Sequence, residues 1–141
     1  MSKVVIWAAA VAGAAGTLVA VFGLPWAWYG DRAVRLTEFP GWAWYVGAAV
    51  LLNVVTGWTI ADSGRRGWLP LVAGGLGVVT IVTAVVVMTN YADVFLGQVV
   101  PAVRPSFGPG GPVGVLAGLA SLAAVAGSRY LRRPALGPAP P

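Results

Sequence analysis

The residues able to do chemistry in this chain of 141 residues are few. It contains no His and no Cys. That removes the usual general base, the usual metal and haem ligands, thiol nucleophiles and disulfides. The carboxylates are Asp31, Glu38, Asp62 and Asp93. A pair of carboxylates can in principle do acid–base work, but nothing in the spacing of these follows a catalytic pattern. Ser63 and Ser106 lack a His to activate them, and a Ser–Lys arrangement would need Lys3, which the orientation derived below puts on the opposite face. Gly74, Gly75 and Gly77 suggest a phosphate loop only superficially, because no Lys-Ser/Thr follows and they lie inside an apolar run. The sequence therefore reads as non-enzymatic, with no cofactor and no metal. A membrane enzyme would need unrecognised chemistry from Asp31, Glu38 or Asp93.

What remains is a binding candidate. From Leu24 to Tyr45 the chain reads Leu-Pro-Trp-Ala-Trp-Tyr-Gly, then Asp31, Arg32, Arg35 and Glu38, then Pro-Gly-Trp-Ala-Trp-Tyr. Trp26, Trp28 and Tyr29 mirror Trp42, Trp44 and Tyr45 across the loop. Trp and Tyr favour the membrane–water interface, so an aromatic belt explains both clusters, with Trp7, Trp58 and Trp68 as its counterpart on the other side. The competing explanation is a patch for a lipid or a protein partner, in which Arg32 and Arg35 meet a phosphate or an acidic group. Asp31 and Glu38 weaken that case by offering local ion pairs, which in a wet loop contribute little stability.

The elements that must position these residues follow from composition. Hydrophobic residues make up 58% and charged residues 9%, against a usual charged share of about 25%. Mean hydropathy is +0.82. This excludes a disordered chain and argues against a soluble globular domain. A membrane helix needs roughly 20 apolar residues. Four segments satisfy this, at about 4–24, 42–61, 68–88 and 112–131. They are continuous rather than alternating, which favours helices over barrel strands. Pro25, Pro40-Gly41, the Ser63 to Gly67 turn and the Pro/Gly-rich stretch from Pro101 to Pro112 separate them. The expected fold is all-α, a single four-helix transmembrane bundle over residues 1–133, followed by a disordered Pro/Ala-rich tail over 134–141. A stretch near Val94 to Val100 is expected to lie along the membrane surface. The first span starts with Lys3 and Ala-rich residues, as a signal peptide does. Its apolar run is too long and its Ala cluster too early for cleavage, so it is read as retained.

Charge gives the orientation. Lys3, Arg65, Arg66, Arg129, Arg132 and Arg133 face Asp62 on one side; Arg32, Arg35 and Arg104 face Asp31, Glu38 and Asp93 on the other. The Lys/Arg bias places both termini in the cytoplasm and the loops near 25–41 and 89–111 outside. The basic pI of about 10.5 is thus a topology signal, and nucleic acid is not expected as a partner.

Inside the spans no Asp, Glu, Lys, Arg or His is central, which argues against a proton-coupled pump. Asn53 is the strongest polar candidate, for a ligand or for a bond between helices. Gly110, Gly114 and Gly118 recur every four residues into the last span; Ala9-Gly13, Ala12-Gly16 and Ala73-Gly77 show the same spacing. Such small-residue faces let backbones approach closely, in a dimer or within the bundle.

Leu24-Pro25-Trp26 closing the first span, Arg65-Arg66 in a short turn, and Phe107-Gly108-Pro109-Gly110-Gly111 leading to the last span resemble small four-span membrane proteins common in actinobacteria. The Arg-over-Lys usage with abundant Ala, Gly, Val and Pro looks like a GC-rich bacterial genome. The resemblance implies fold and a bacterial plasma-membrane location, and no activity. Two functions remain. The first is an accessory or scaffold protein of the cell envelope with a membrane-protein partner or a second copy. The alternative is a lipid- or small-solute-handling protein using the outward Trp/Arg patch.

Overall fold

Long apolar runs must satisfy their backbone internally, and each of the four does so as a helix. The computed structural model describes residues 2–62, 66–90 and 106–130. Helix α1 covers Lys3–Leu18 and continues as one π-helical turn over Val19–Gly23. Helices α2, α3 and α4 cover Trp42–Ala61, Leu69–Thr89 and Gly110–Tyr130. With its π turn counted, α1 joins the other three as a helix of 20 or 21 residues, long and apolar enough to cross a membrane. Their starts have local causes. The Ser2 hydroxyl caps α1 by accepting from the Val5 N–H at 3.4 Å. Gly41, at φ +79°, turns the chain into α2 through a left-handed conformation that side chains resist. Pro70 sits in the first turn of α3, where its missing N–H costs nothing.

The first long connection is more ordered than a loop. Strands β1 (Ala27–Tyr29) and β2 (Arg32–Val34) form a hairpin through Gly30-Asp31, with Gly30 at φ +59°. Strand β3 (Ser106–Phe107) pairs antiparallel with the other edge of β1, giving the order β2-β1-β3. A single 3₁₀ turn, Leu36–Glu38, leads back toward α2. Two connections expected as separate loops are therefore joined in one small sheet. The apolar residues on its inner face have a core to cover, which a solvated loop would lack.

Helix α4 touches all three other helices. It runs antiparallel to α1, with Gly13 against Ser121 and Gly16 against Ala117, and antiparallel to α3, with Gly77 against Leu122 and Gly111 against Met88. The start of α1, the end of α4 and the α2–α3 turn thus share one end of the bundle, the terminal end. The sheet closes the other. Beneath it lies the main hydrophobic cluster, with Trp26, Val34, Leu36, Phe39, Tyr45 and Val87 among its members. The expected surface stretch near Val94 to Val100, Arg104, Arg132, Arg133 and the tail over 134–141 lie outside the described residues.

Candidate functional site

The aromatic patch splits into an inner and an outer set. Trp26 and Tyr45 are fully buried and Tyr29 is nearly so, whereas Trp28, Trp42 and especially Trp44, at 78% exposure, face outward. Trp26 leaves the interface because it has both a cavity and a hydrogen-bond acceptor. Its indole N–H donates to the Ala20 carbonyl at 2.7 Å. Its ring meets Tyr45 edge-on at 5.1 Å and Phe39 at 6.5 Å. Space for it comes from α4, since a β-carbon at Gly110 would run into the indole and one at Gly114 would lie 2.5 Å from the Tyr45 hydroxyl.

The charged part of the patch is largely self-engaged. Arg32 pairs with Glu38 at 2.8 Å, and the other Glu38 oxygen accepts the Arg35 N–H at 2.9 Å. Both partners are substantially exposed, so the pair contributes about 0–1 kcal/mol. Its effect is to fix the turn between β2 and α2. Arg35 also lines a hollow of about 180 Å³ with Phe22, Leu24, Pro25 and Ala33. Asp31 stands at the hairpin tip, and the described residues hold no cluster of three His, Cys, Asp or Glu.

Asn53 sits within the helices, as the centre of a network. Its amide donates to the Thr17 hydroxyl at 3.2 Å and to the Ala49 carbonyl at 2.8 Å. Its carbonyl accepts from the Ser121 hydroxyl at 3.2 Å. Thr17 in turn donates to the Gly13 carbonyl at 2.9 Å. Three helices, α1, α2 and α4, are joined through this one amide. The remaining hydroxyls mostly bond to their own helix, as Thr59, Thr80 and Thr83 do. The Tyr45 and Thr56 hydroxyls are buried without a hydrogen-bond partner among the described residues.

Gly110, Gly114 and Gly118 all face inward, the last toward Ile81 and Thr80. Their face is spent on packing within the chain. A different small-residue face is left uncovered by the described residues. Between α2 and α3 a groove of about 550 Å³ opens sideways, lined by Ala43, Trp44, Gly47, Leu51, Leu76 and Val79 among others. Nothing approaches a β-carbon built at Gly47 within 4 Å. Sequence reasoning missed this groove. The Ala43/Gly47 spacing of four residues was its available signal.

No family model, no curated protein and no solved structure matches this chain.

The Trp26 contacts carry a stability prediction. Trp26→Phe removes the donor to Ala20 and leaves a buried carbonyl unpaired, a cost of about 1–3 kcal/mol. Gly114→Val drives a side chain into Tyr45 and should cost at least as much. Gly57→Val places its β-carbon in open space and should change little. Unfolding in detergent followed by tryptophan fluorescence and circular dichroism ranks the three. Equal midpoints would remove the pinning role of Trp26.

Proposed function

We propose that this chain is a non-enzymatic multi-pass membrane protein that works by contact, as an accessory or scaffold subunit of a bacterial cell envelope, with a transmembrane helix of its partner laid in the α2–α3 groove. The groove is the observation that carries this reading. Its walls are almost wholly apolar, and Ala43 and Gly47 lie four residues apart on α2. That spacing lets a second backbone approach closely, which is how helices associate where lipid removes the hydrophobic driving force. Thr83, its polar wall residue, already donates to Val79 and Thr80 carbonyls and makes no demand on an occupant. The absence of His and Cys from the sequence fits a role by contact.

A photo-crosslinking residue at Leu51 or Val79 should join one partner at fixed stoichiometry, and one at Val11 or Val78 should not. Gly47→Leu, which fills the groove from an unobstructed position, should abolish the product while leaving the fold intact. Equal crosslinking from all four positions, or a product that survives Gly47→Leu, would sink the proposal. A crosslink to lipid alone would do the same.

The proposal includes a plasma-membrane location with the terminal end in the cytoplasm. Its support is the charge bias: among the described residues, Lys3, Arg66 and Arg129 stand against Asp62 at that end, while Arg32 and Arg35 are balanced by Asp31 and Glu38 at the other. Because the chain lacks cysteine, single sites can be labelled cleanly. An impermeant maleimide applied to spheroplasts should label Ala33→Cys and spare Gly67→Cys until lysis. The reverse pattern would invert the orientation.

Arg35 favours a second reading, in which the outward patch handles a lipid headgroup or small solute. Arg35 lines the hollow near Phe22, and the ion pair with Glu38 found among the described residues is made by Arg32. On this reading the double variant Arg32→Ala, Arg35→Ala should lose bound anionic lipid. Unchanged lipid content would eliminate it.

A further inference from the structure

At the terminal end, on the opposite flank from the α2–α3 groove, α3 and α4 leave a second opening of about 280 Å³, lined by Pro70, Gly74, Leu122, Val125, Ala126 and Arg129. We infer that this opening binds one anionic phospholipid, with an acyl chain along the apolar walls and the phosphate at Arg129.

Three independent features of the opening agree on that occupant. Its depth comes from missing side chains: nothing lies within 4 Å of a β-carbon built at Gly74, so the floor is open to a chain-shaped group. Its length runs along the first turns of α3 and the last turns of α4. From Leu122 to Arg129 is seven residues, which at 1.5 Å per residue is about 10 Å, the distance over which a lipid passes from upper acyl chain to headgroup. Its charge is at one end only. Arg129 is exposed in the last turn of α4, and the ion pair found among the described residues, Arg32–Glu38, is at the far end of the bundle. Pro70 and the four apolar wall residues carry no charge to oppose an anion.

Charge complementarity selects the lipid class. The same end carries Lys3 and Arg66 against Asp62, whose carboxylate accepts the Arg66 N–H at 3.1 Å. Basic pockets between transmembrane helices collect anionic headgroups, and a guanidinium matches a phosphate with two parallel hydrogen bonds. A zwitterionic phospholipid offers Arg129 the same phosphate but adds a headgroup cation that this guanidinium repels, so net charge favours the anionic lipid. Arg66 has other company, with its guanidinium 5.1 Å over the Trp58 ring. Arg129 is the cation positioned on the groove itself. A cation in the last turn of α4 also complements the helix dipole, and that purely structural role would be indifferent to which lipid surrounds the protein.

The inference does not rest on the α2–α3 groove. Its test is native mass spectrometry of the full chain released from nanodiscs of equimolar phosphatidylglycerol and phosphatidylcholine. The wild type should retain one phosphatidylglycerol in preference to phosphatidylcholine. Arg129→Gln should weaken that preference about fivefold, the factor one cation contributes near an anionic surface, and Arg129→Lys should keep most of it. Gly74→Leu, which blocks the groove and spares the charge, should lose the bound lipid. Ala126→Leu fills the same groove from α4 and replaces it if melting in pure phosphatidylcholine shows Gly74→Leu to be misfolded. Inorganic phosphate in excess should leave the lipid in place. The inference is overturned if the preference survives both groove-filling variants, which would make it general surface attraction. It is equally overturned if free phosphate displaces the lipid, or if Arg129→Gln lowers stability equally in both lipids with the preference unchanged.

Discussion

Trp26 is placed where three parts of the chain must agree, and its indole hydrogen bond is what makes them agree. The π-helical turn over Val19–Gly23 pairs each carbonyl with the N–H five residues on. In that register Ala20 would look to residue 25, which is a proline and has no N–H. The carbonyl is left facing apolar surroundings, and the indole N–H fills the vacancy at 2.7 Å. A buried acceptor without a donor costs more than a made bond gains, so the ring is held where the carbonyl is. Everything nearby then follows. The Trp26 backbone donates to Val34 at 2.8 Å and accepts from Gly108 at 3.0 Å, which ties both flanking segments to the strand that starts at Ala27. The indole in turn requires Gly110, and the adjoining Tyr45 requires Gly114.

Deeper in the bundle the constraint is different. Between apolar helices in lipid there is no hydrophobic driving force, so close packing and a few polar bonds decide the arrangement. The small residues of α4 supply the packing: Gly114, Ala117, Gly118 and Ser121 are all buried. Asn53 supplies register, because its amide finds acceptors on α1 and α2 while its carbonyl finds a donor on α4. Interhelical bonds of this kind average about 0.6 kcal/mol each in membranes. That is too little to hold four helices together, and enough to favour one rotation of α2 over others that pack equally well. The exposed Arg32–Glu38 pair is smaller in consequence still, as it orders a turn that the hairpin already restrains.

These differences explain what was legible in the residues alone. The four helices were, because uninterrupted apolar runs bounded by Pro, Gly and charge have one solution in a bilayer. The hairpin was legible in part, since Gly30-Asp31 between aromatic and β-branched residues is a turn signal, but reading Trp26 and Trp28 as one belt hid it. Trp has the same composition signature whether it lies at an interface or inside a core. Only the acceptor at Ala20 and the space at Gly110 separate Trp26 from Trp28, and both come from elements distant in sequence or from a helix register that spacing does not reveal. Asn53 carried the same ambiguity. Its residue type announced a hydrogen bond and left open whether the partner was a helix or a ligand.

The glycines show the limit of spacing most clearly. Gly13, Gly77, Gly110, Gly111 and Gly114 each press against a neighbouring helix or the cap, and a β-carbon there would collide. Gly47, Gly57, Gly74 and Gly75 meet nothing within 4 Å. In sequence the two sets look alike. Physically they are opposites. The first set explains itself, because close approach within the chain is what omitting the side chain achieves. The second set leaves concavities instead, and two of its members, Gly47 and Gly74, floor the apolar openings on either flank of α3. An empty groove is costly, since lining atoms without neighbours forfeit dispersion contacts outright. The difference between the two grooves lies at their rims. Arg129 stands at one, while the other is bordered by Trp44 and carries no charge. The two flanks of α3 therefore present different chemistry, one almost wholly apolar and one with a cation at its edge.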